Sequence, residues 1–272
     1  MPERAADLEL AMGAARAAGE IVMHYFGTEL NVQHKSPDQP LTIADLEADA
    51  RLREVLLGAR PNDGWLSEET EDSADRLERS RVWIVDPIDG TRSFVAGRPE
   101  FTISIGLAEH GAAVVAVVYN PARDELFWAI RGAGAYVQVQ GGPAERLSVS
   151  DRKPGDLAVM LASRSEIAAG EFDPFDEEWL VEPLGSTAYK LARIAWGRGE
   201  TFLSRGPKSE WDVCGGVLLV QEAGGRVTDV AGREPRFNRT PPCMQGLLAS
   251  NGVLHDTLLQ WIRTLPPPSR PG

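Results

Sequence analysis

Asp86-Pro87-Ile88-Asp89-Gly90-Thr91 holds two carboxylates three positions apart around a proline, directly after the apolar run Val82-Trp83-Ile84-Val85. The run predicts a short buried strand that stops at the aspartates. Pro87 fixes its own φ and biases Asp86 toward extended backbone, so the turn is stiff and aims both carboxylates at one point. Two hard oxygen ligands, with the Ile88 carbonyl between them, suit Mg²⁺. Gly90 and Thr91 follow with a permissive backbone and a hydroxyl, placed to meet an anion if a short helix starts there and offers free N–H groups. Taken alone, the spacing also describes a capped turn with solvated aspartates.

Whatever holds these residues has 272 residues at 43% hydrophobic to draw on, enough for one large domain or two closely associated ones. The formal charge of −12 argues against a nucleic-acid polymer as a general partner, because such binding needs clustered Lys and Arg. A small phosphorylated molecule stays compatible where metal ions reverse the local sign. Cys214 and Cys243 are the only cysteines and indicate neither a disulfide framework nor a zinc site, which fits a reducing cytoplasm. The N-terminus lacks an apolar core of signal-peptide type and no apolar run is long enough to span a bilayer, so no membrane partner is expected. His24, His34, His110 and His255 are scattered without ligand spacing. The sequence has no G-x-S-x-G, no G-x-x-x-x-G-K-(S/T) and no strand-linked G-x-G-x-x-G, which removes the main support for a serine hydrolase, a P-loop kinase or a dinucleotide enzyme.

Periodicity predicts a packing helix from Ala5 to Phe26, stopped by Gly27, then a short strand over Asn31 to Lys35. Ser36 to Pro40 breaks the pattern before a second helix, Thr42 to Leu57, whose first turn carries Asp45; its plain role there is a charge favoured by the macrodipole. Trp65-Leu66-Ser67-Glu68-Glu69 is an apolar approach to paired glutamates, a pairing common in solvated loops. Phe101–Ala108, Ala113–Tyr119 and Glu125–Ala129 are β-rich and predict an antiparallel sheet with the acidic site at one edge. Gly141-Gly142-Pro143 and the polar stretch to Pro154 mark the expected boundary between an N-terminal α+β half, 1–148, and a C-terminal α/β half, 149–272. In the second half Leu157–Ala162 and Glu200–Leu203 read as extended, Gly185–Gly197 and Val213–Ala223 as helical. Asp212, just ahead of the last helix, is most economically an N-cap, and the Pro-rich tail after Leu265 is expected to fray.

The whole string D-P-I-D-G-T resembles the signature of the inositol monophosphatase superfamily of metal-dependent phosphatases. Lys35 to Asp45 matches that superfamily's K-x-x-x-x-x-(L/V)-T-x-A-D lead-in, and Glu68 and the Trp211-Asp212 pair fall where it has further acids. The resemblance runs from the first helix to Asn251 and implies the layered α-β-α-β-α sandwich of the inositol monophosphatase and fructose-1,6-bisphosphatase type. It implies that Glu68, Asp86, the Ile88 carbonyl, Asp89 and Asp212 bind two or three Mg²⁺ ions. Thr91, hydrogen-bonded to Asp45, would then orient and deprotonate a water, while the Gly90 and Thr91 amides hold phosphate oxygens. The implied activity is phosphomonoester hydrolysis by direct attack of water, in a homodimer.

Within the superfamily, inositol monophosphatases usually carry a glutamate seven residues before the W-D aspartate, where this chain has Arg205. Gly206-Pro207-Lys208-Ser209-Glu210-Trp211-Asp212 is closer to the G-P-x-x-x-W-D form of bacterial 3'(2'),5'-bisphosphate nucleotidases, as are Leu66-Ser67-Glu68-Glu69 and Ser163-Arg164-Ser165. Arg164, Lys190, Arg205 and Lys208 would supply charge for a second phosphate. Ser93-Phe94 departs from that branch, and Phe101 to Gly106 suits inositol phosphatases as well. The resulting expectation is a nucleotidase acting on adenosine 3',5'-bisphosphate, with an inositol-1-monophosphatase or related sugar phosphatase as the enzymatic alternative and an acidic metal-binding regulatory protein as the non-enzymatic one.

Overall fold

The computed structural model describes residues 2–29, 32–36, 39–175 and 179–265. Asn31, the Pro37-Asp38 pair of the expected break and the tail after Leu265 lie outside them. The first half runs α1 (Pro2–Tyr25), the hairpin β1 (Gln33–Ser36) and β2 (Gln39–Leu41), α2 (Ile43–Ala59), β3 (Gly64–Ser67), β4 (Arg81–Asp89), α3 (Thr91–Val95), β5 (Thr102–Glu109), β6 (Ala112–Asn120), β7 (Glu125–Ile130), β8 (Gly134–Val139) and β9 (Glu145–Arg146). The second runs β10 (Ala158–Ala162), α4 (Arg164–Ala168), β11 (Trp179–Pro183), α5 (Thr187–Ala195), β12 (Thr201–Ser204), β13 (Lys208–Ser209), α6 (Glu210–Glu222), β14 (Arg226–Thr228), β15 (Cys243–Met244), β16 (Leu247–Ser250) and α7 (His255–Ile262).

Strands β3 to β9 form a seven-stranded sheet in sequence order, antiparallel except for the parallel β3–β4 pair at its edge. One face carries α1 and α2, packed through Leu8, Ala11, Ala15, Ala18, Val22, Leu52 and Leu56 at helical spacing. The other face carries α5 and α6, whose far side packs on a five-stranded sheet ordered β11-β10-β12-β16-β14. Helix α7 closes the stack through Leu254, Leu258 and Ile262 against Met160, Leu203 and Leu248. These are the five layers α-β-α-β-α. The expected helices and strands appear, with shifted ends and additions. Strand β4 continues through Asp89, with a register shift between Asp86 and Asp89, instead of stopping at Val85. Strand β8 begins at Gly134, where the sequence reads only a turn, and β11 is a five-residue edge strand with Leu180 and Glu182 exposed, too short to stand out by pattern.

Candidate active site

Strand alternation sets the site. On β4, Trp83 and Val85 face α1 and α2 while Val82 and Ile84 face α5 and α6, so Asp86 continues the second face. Strand β3 lies parallel in register, Leu66 beside Ile84 and Ser67 beside Val85, with Leu66 on the same inner face. Glu68 therefore emerges beside Asp86, its N–H donating to the Val85 carbonyl at 3.3 Å. Helix α6 starts with Ser209 as N-cap, so Asp212 is the third residue of its first turn, not the cap itself. Glu210 and Asp212 both favour that end of the helix, which moves its start three residues ahead of the expected one. Ser104 Oγ donates to the Trp211 carbonyl at 3.3 Å and ties this turn to β5. The outcome is a cluster in which carboxylate oxygens of Glu68, Asp86 and Asp212 lie within 4.8 Å of one another.

Such a cluster repels itself. Burial first, then the charges of Glu68, Asp89 and Asp212, hold the Asp86 carboxyl well above its usual range. Burial, then Asp89 and Glu68, push Asp212 up to about 8, with Lys208 opposing. Hard carboxylate oxygens this close, still repelling one another despite Lys208, are the donor set that fits Mg²⁺.

Asp89 stands beside the cluster with one oxygen already committed: Oδ2 accepts from Ser186 Oγ at 2.6 Å and from the Ala188 N–H at 2.5 Å. Burial raises its pKa against those bonds and against nearby Lys190. Gly90 sits at φ 98°, and a Cβ there would come within 2.8 Å of the Glu100 carbonyl, so glycine is required. Thr91 Oγ1 lies 2.9 Å from the Ile88 carbonyl and 3.3 Å from Asp45 Oδ1. Asp45 is buried at the start of α2, where its Oδ2 accepts from both the Thr42 N–H at 2.7 Å and Thr42 Oγ1 at 2.6 Å in a capping box. The capping role and the contact to Thr91 coexist, one on each oxygen.

The cations expected to meet a second phosphate are paired. Arg164 makes a two-pronged contact with Glu100 at 2.5 and 2.8 Å, Arg205 pairs with Glu171, and Lys208 Nζ lies 3.8 Å from Glu166. Lys190 is buried, donates to the Leu184 carbonyl at 3.2 Å, and burial lowers its pKa to about 8. Sequence reasoning missed Ser186, which caps α5, donates to Asp89 and adopts φ 60°. The sequence places Ser186 inside the predicted helix Gly185–Gly197, whereas the helix starts at Thr187 and leaves Ser186 as its cap.

In this five-layer sandwich, carboxylates from the end of β3, from β4 and from the first turn of α6 converge, and the family that the chain matches is one of phosphoric monoester hydrolases. The chain belongs to the inositol monophosphatase family, whose model matches residues 4–266 and whose members are phosphatases, in general Mg²⁺-dependent. It is 34% identical over 264 residues to the inositol-1-monophosphatase of Caulobacter vibrioides, covering 93% of this chain and 96% of that one. It is 35% identical over 261 residues to the histidinol-phosphatase of Mycobacterium tuberculosis, again covering 93% and 96%. The crystal structure of the extragenic suppressor protein suhB from Bartonella henselae superposes with a TM-score of 0.81 at 30% identity, covering 95% of this chain and 99% of that one. Family membership sets aside the non-enzymatic reading.

Proposed function

We propose that the protein is a Mg²⁺-dependent phosphomonoesterase using direct attack of water, and that its substrate is the monophosphate of a small hydroxylated alcohol, of inositol 1-phosphate type. The observation that carries the reading is the convergence of Glu68, Asp86 and Asp212 next to the Thr91–Asp45 contact. Those three acids, with Asp89 and the Ile88 carbonyl beside them, would hold the ions. When bound, Mg²⁺ supplies neutralisation of the phosphate and acidification of a water. Thr91 Oγ1 accepts a proton from the attacking water as its own passes to Asp45 Oδ1, which the Thr42 cap holds in place. The first amides of α3 have no intrahelical acceptor, and phosphate oxygens suit them.

On the substrate, the carboxylate partners of Arg164, Arg205 and Lys208 weaken the case for a second phosphate, since a ligand would first have to displace Glu100, Glu171 and Glu166. Adenosine 3',5'-bisphosphate remains the second reading, favoured by Arg205 in place of a glutamate and by Lys208 close enough to act on Asp212. A homodimer, which rests on the family resemblance, and a cytoplasmic location, which rests on the two cysteines without a disulfide framework, belong to the same proposal. Among the described residues no helix is long and apolar enough to cross a membrane.

Phosphate release from inositol 1-phosphate, histidinol phosphate and adenosine 3',5'-bisphosphate, with Mg²⁺ and with chelator, tests both levels. Mg²⁺-dependent release is expected, fastest from a monophosphate, and Thr91→Ala should lower kcat by on the order of 10²-fold with a smaller effect on Mg²⁺ affinity. Release that persists under chelation would overturn the metal reading, and a bisphosphate preference would overturn the monophosphate one.

A further inference from the structure

Asp49 lies one helical turn beyond Asp45 on α2, is buried, and among the described residues forms no ion pair. Its two oxygens are each taken by a hydroxyl: Ser67 Oγ donates to Oδ1 in a short contact, and Thr70 Oγ1 donates to Oδ2 at 2.6 Å. The two donors bracket Glu68 and Glu69. Ser67 Oγ also accepts from the Glu69 N–H at 3.3 Å, and the Trp65 ring N–H lies 3.3 Å from Thr70 Oγ1. The alternation that turns Leu66 and Glu68 toward α6 turns Ser67 the other way, toward α2. A strand end carrying a ligand on one face is thus anchored through the opposite face.

We infer that Asp49 is a positioning residue for Glu68. Its carboxylate locks the loop from Ser67 to Thr70 onto the helix that also carries Asp45, so that the Glu68 carboxylate is delivered beside Asp86 and Asp212. A carboxylate is the group for the task, because the two hydroxyls donate to separate oxygens and an amide would set an NH₂ donor in place of one of them. Its seventh position in α2 is too far from the helix start for the macrodipole to account for an acid there. The inference rests on Glu68 being a metal ligand, and its test separates the two claims.

Mg²⁺ affinity, measured by isothermal titration and by the rise in melting temperature with Mg²⁺, is compared for wild type, Asp49→Ala, Asp49→Asn, Glu68→Gln and the double variant Asp49→Ala/Glu68→Gln. Asp49→Ala is expected to weaken Mg²⁺ binding by about 10- to 100-fold, as loss of a group orienting a ligand does elsewhere, with Asp49→Asn intermediate. KM at saturating Mg²⁺ should stay near wild type. In the Glu68→Gln background the Asp49 replacement should weaken binding no further, because the ligand it positions is gone. Loss by the same factor in both backgrounds would make Asp49 a general packing residue and overturn the inference. Unchanged affinity in Asp49→Ala beside a weakened Glu68→Gln overturns it while leaving the metal reading intact. Unchanged affinity in Glu68→Gln overturns both. Should Asp49→Ala not fold, Ser67→Ala and Thr70→Val each remove one donor and should each show part of the loss.

Discussion

Burial and like charge together raise Asp86 and Asp212, so the metal-free cleft carries a cost that depends on pH. In the folded chain these carboxyls keep protons that the unfolded chain releases near pH ~4. Folding therefore takes up protons in that window, and stability falls as pH rises. The cost is absent below the unfolded value, and for Asp212 it is complete above about 8. Mg²⁺ reverses the trend, since its ligands must be deprotonated to bind. The melting temperature of metal-free protein should decline from about pH 4 to about pH 8 more steeply in wild type than in Asp212→Asn, which removes one titrating group without changing its shape. Adding Mg²⁺ should help wild type most at the alkaline end. Identical pH profiles for the two proteins would contradict a self-repelling cluster. At this scale the acids of the D-P-I-D-G-T string were legible because their chemistry is local. The partners of Arg164, Arg205 and Lys208 were not, since Glu100, Glu171 and Glu166 lie 64, 34 and 42 residues away in the chain.

Helix α6 brings Asp212 to a carboxylate cluster whose other members, Glu68 and Asp86, come from the first half, and it does so by lying very close to β5. Gly106 on β5 faces Cys214 of α6, where a Cβ would come within 2.9 Å of the Cys214 Cβ and 3.3 Å of the Gly215 N. Gly215 answers from the helix, where a Cβ would meet the Ile105 carbonyl at 3.2 Å. Backbone-to-backbone approach of this kind needs glycine on both partners. Gly106→Ala should push α6 outward, cost about 1–3 kcal/mol by overpacking, and lower Mg²⁺ affinity by separating Asp212 from Asp86. Thermal melts and Mg²⁺ titration check both effects, and combination with Cys214→Ala should recover part of each. A variant that melts lower yet binds Mg²⁺ as before would show that the approach serves packing alone. The elements themselves were mostly legible, because β5, β6 and α6 are long apolar runs of one period. The early start of α6 was less so, since Glu210-Trp211-Asp212 mixes acids with an aromatic and hides the turn in which the ligand sits.

The expected division at 148 and 149 falls between the end of β9 at Arg146 and the start of β10 at Ala158, and the apolar core runs across it. Leu66, Val82, Ile84, Phe127 and Val137 of the first half share one cluster with Leu161, Leu191, Phe202, Val217 and Leu247 of the second, and Leu147 is buried in it at the junction. Sequence composition shows a polar stretch between halves and cannot show that α5 and α6, encoded in the second, form the middle layer for both sheets. Unfolding either half would strip one face of that layer and expose apolar surface at about 25 cal/mol per Å², which favours a single cooperative transition over two. Native-state hydrogen exchange should therefore give the amides of β5 and β6 the same opening free energy as those of α6 and β12, with chains 1–148 and 149–272 made separately failing to melt cooperatively. Distinct opening energies for the two groups, or a separately made half with a sharp melt of its own, would mean that the halves are independent domains and that the carboxylate cluster is assembled by docking rather than by folding.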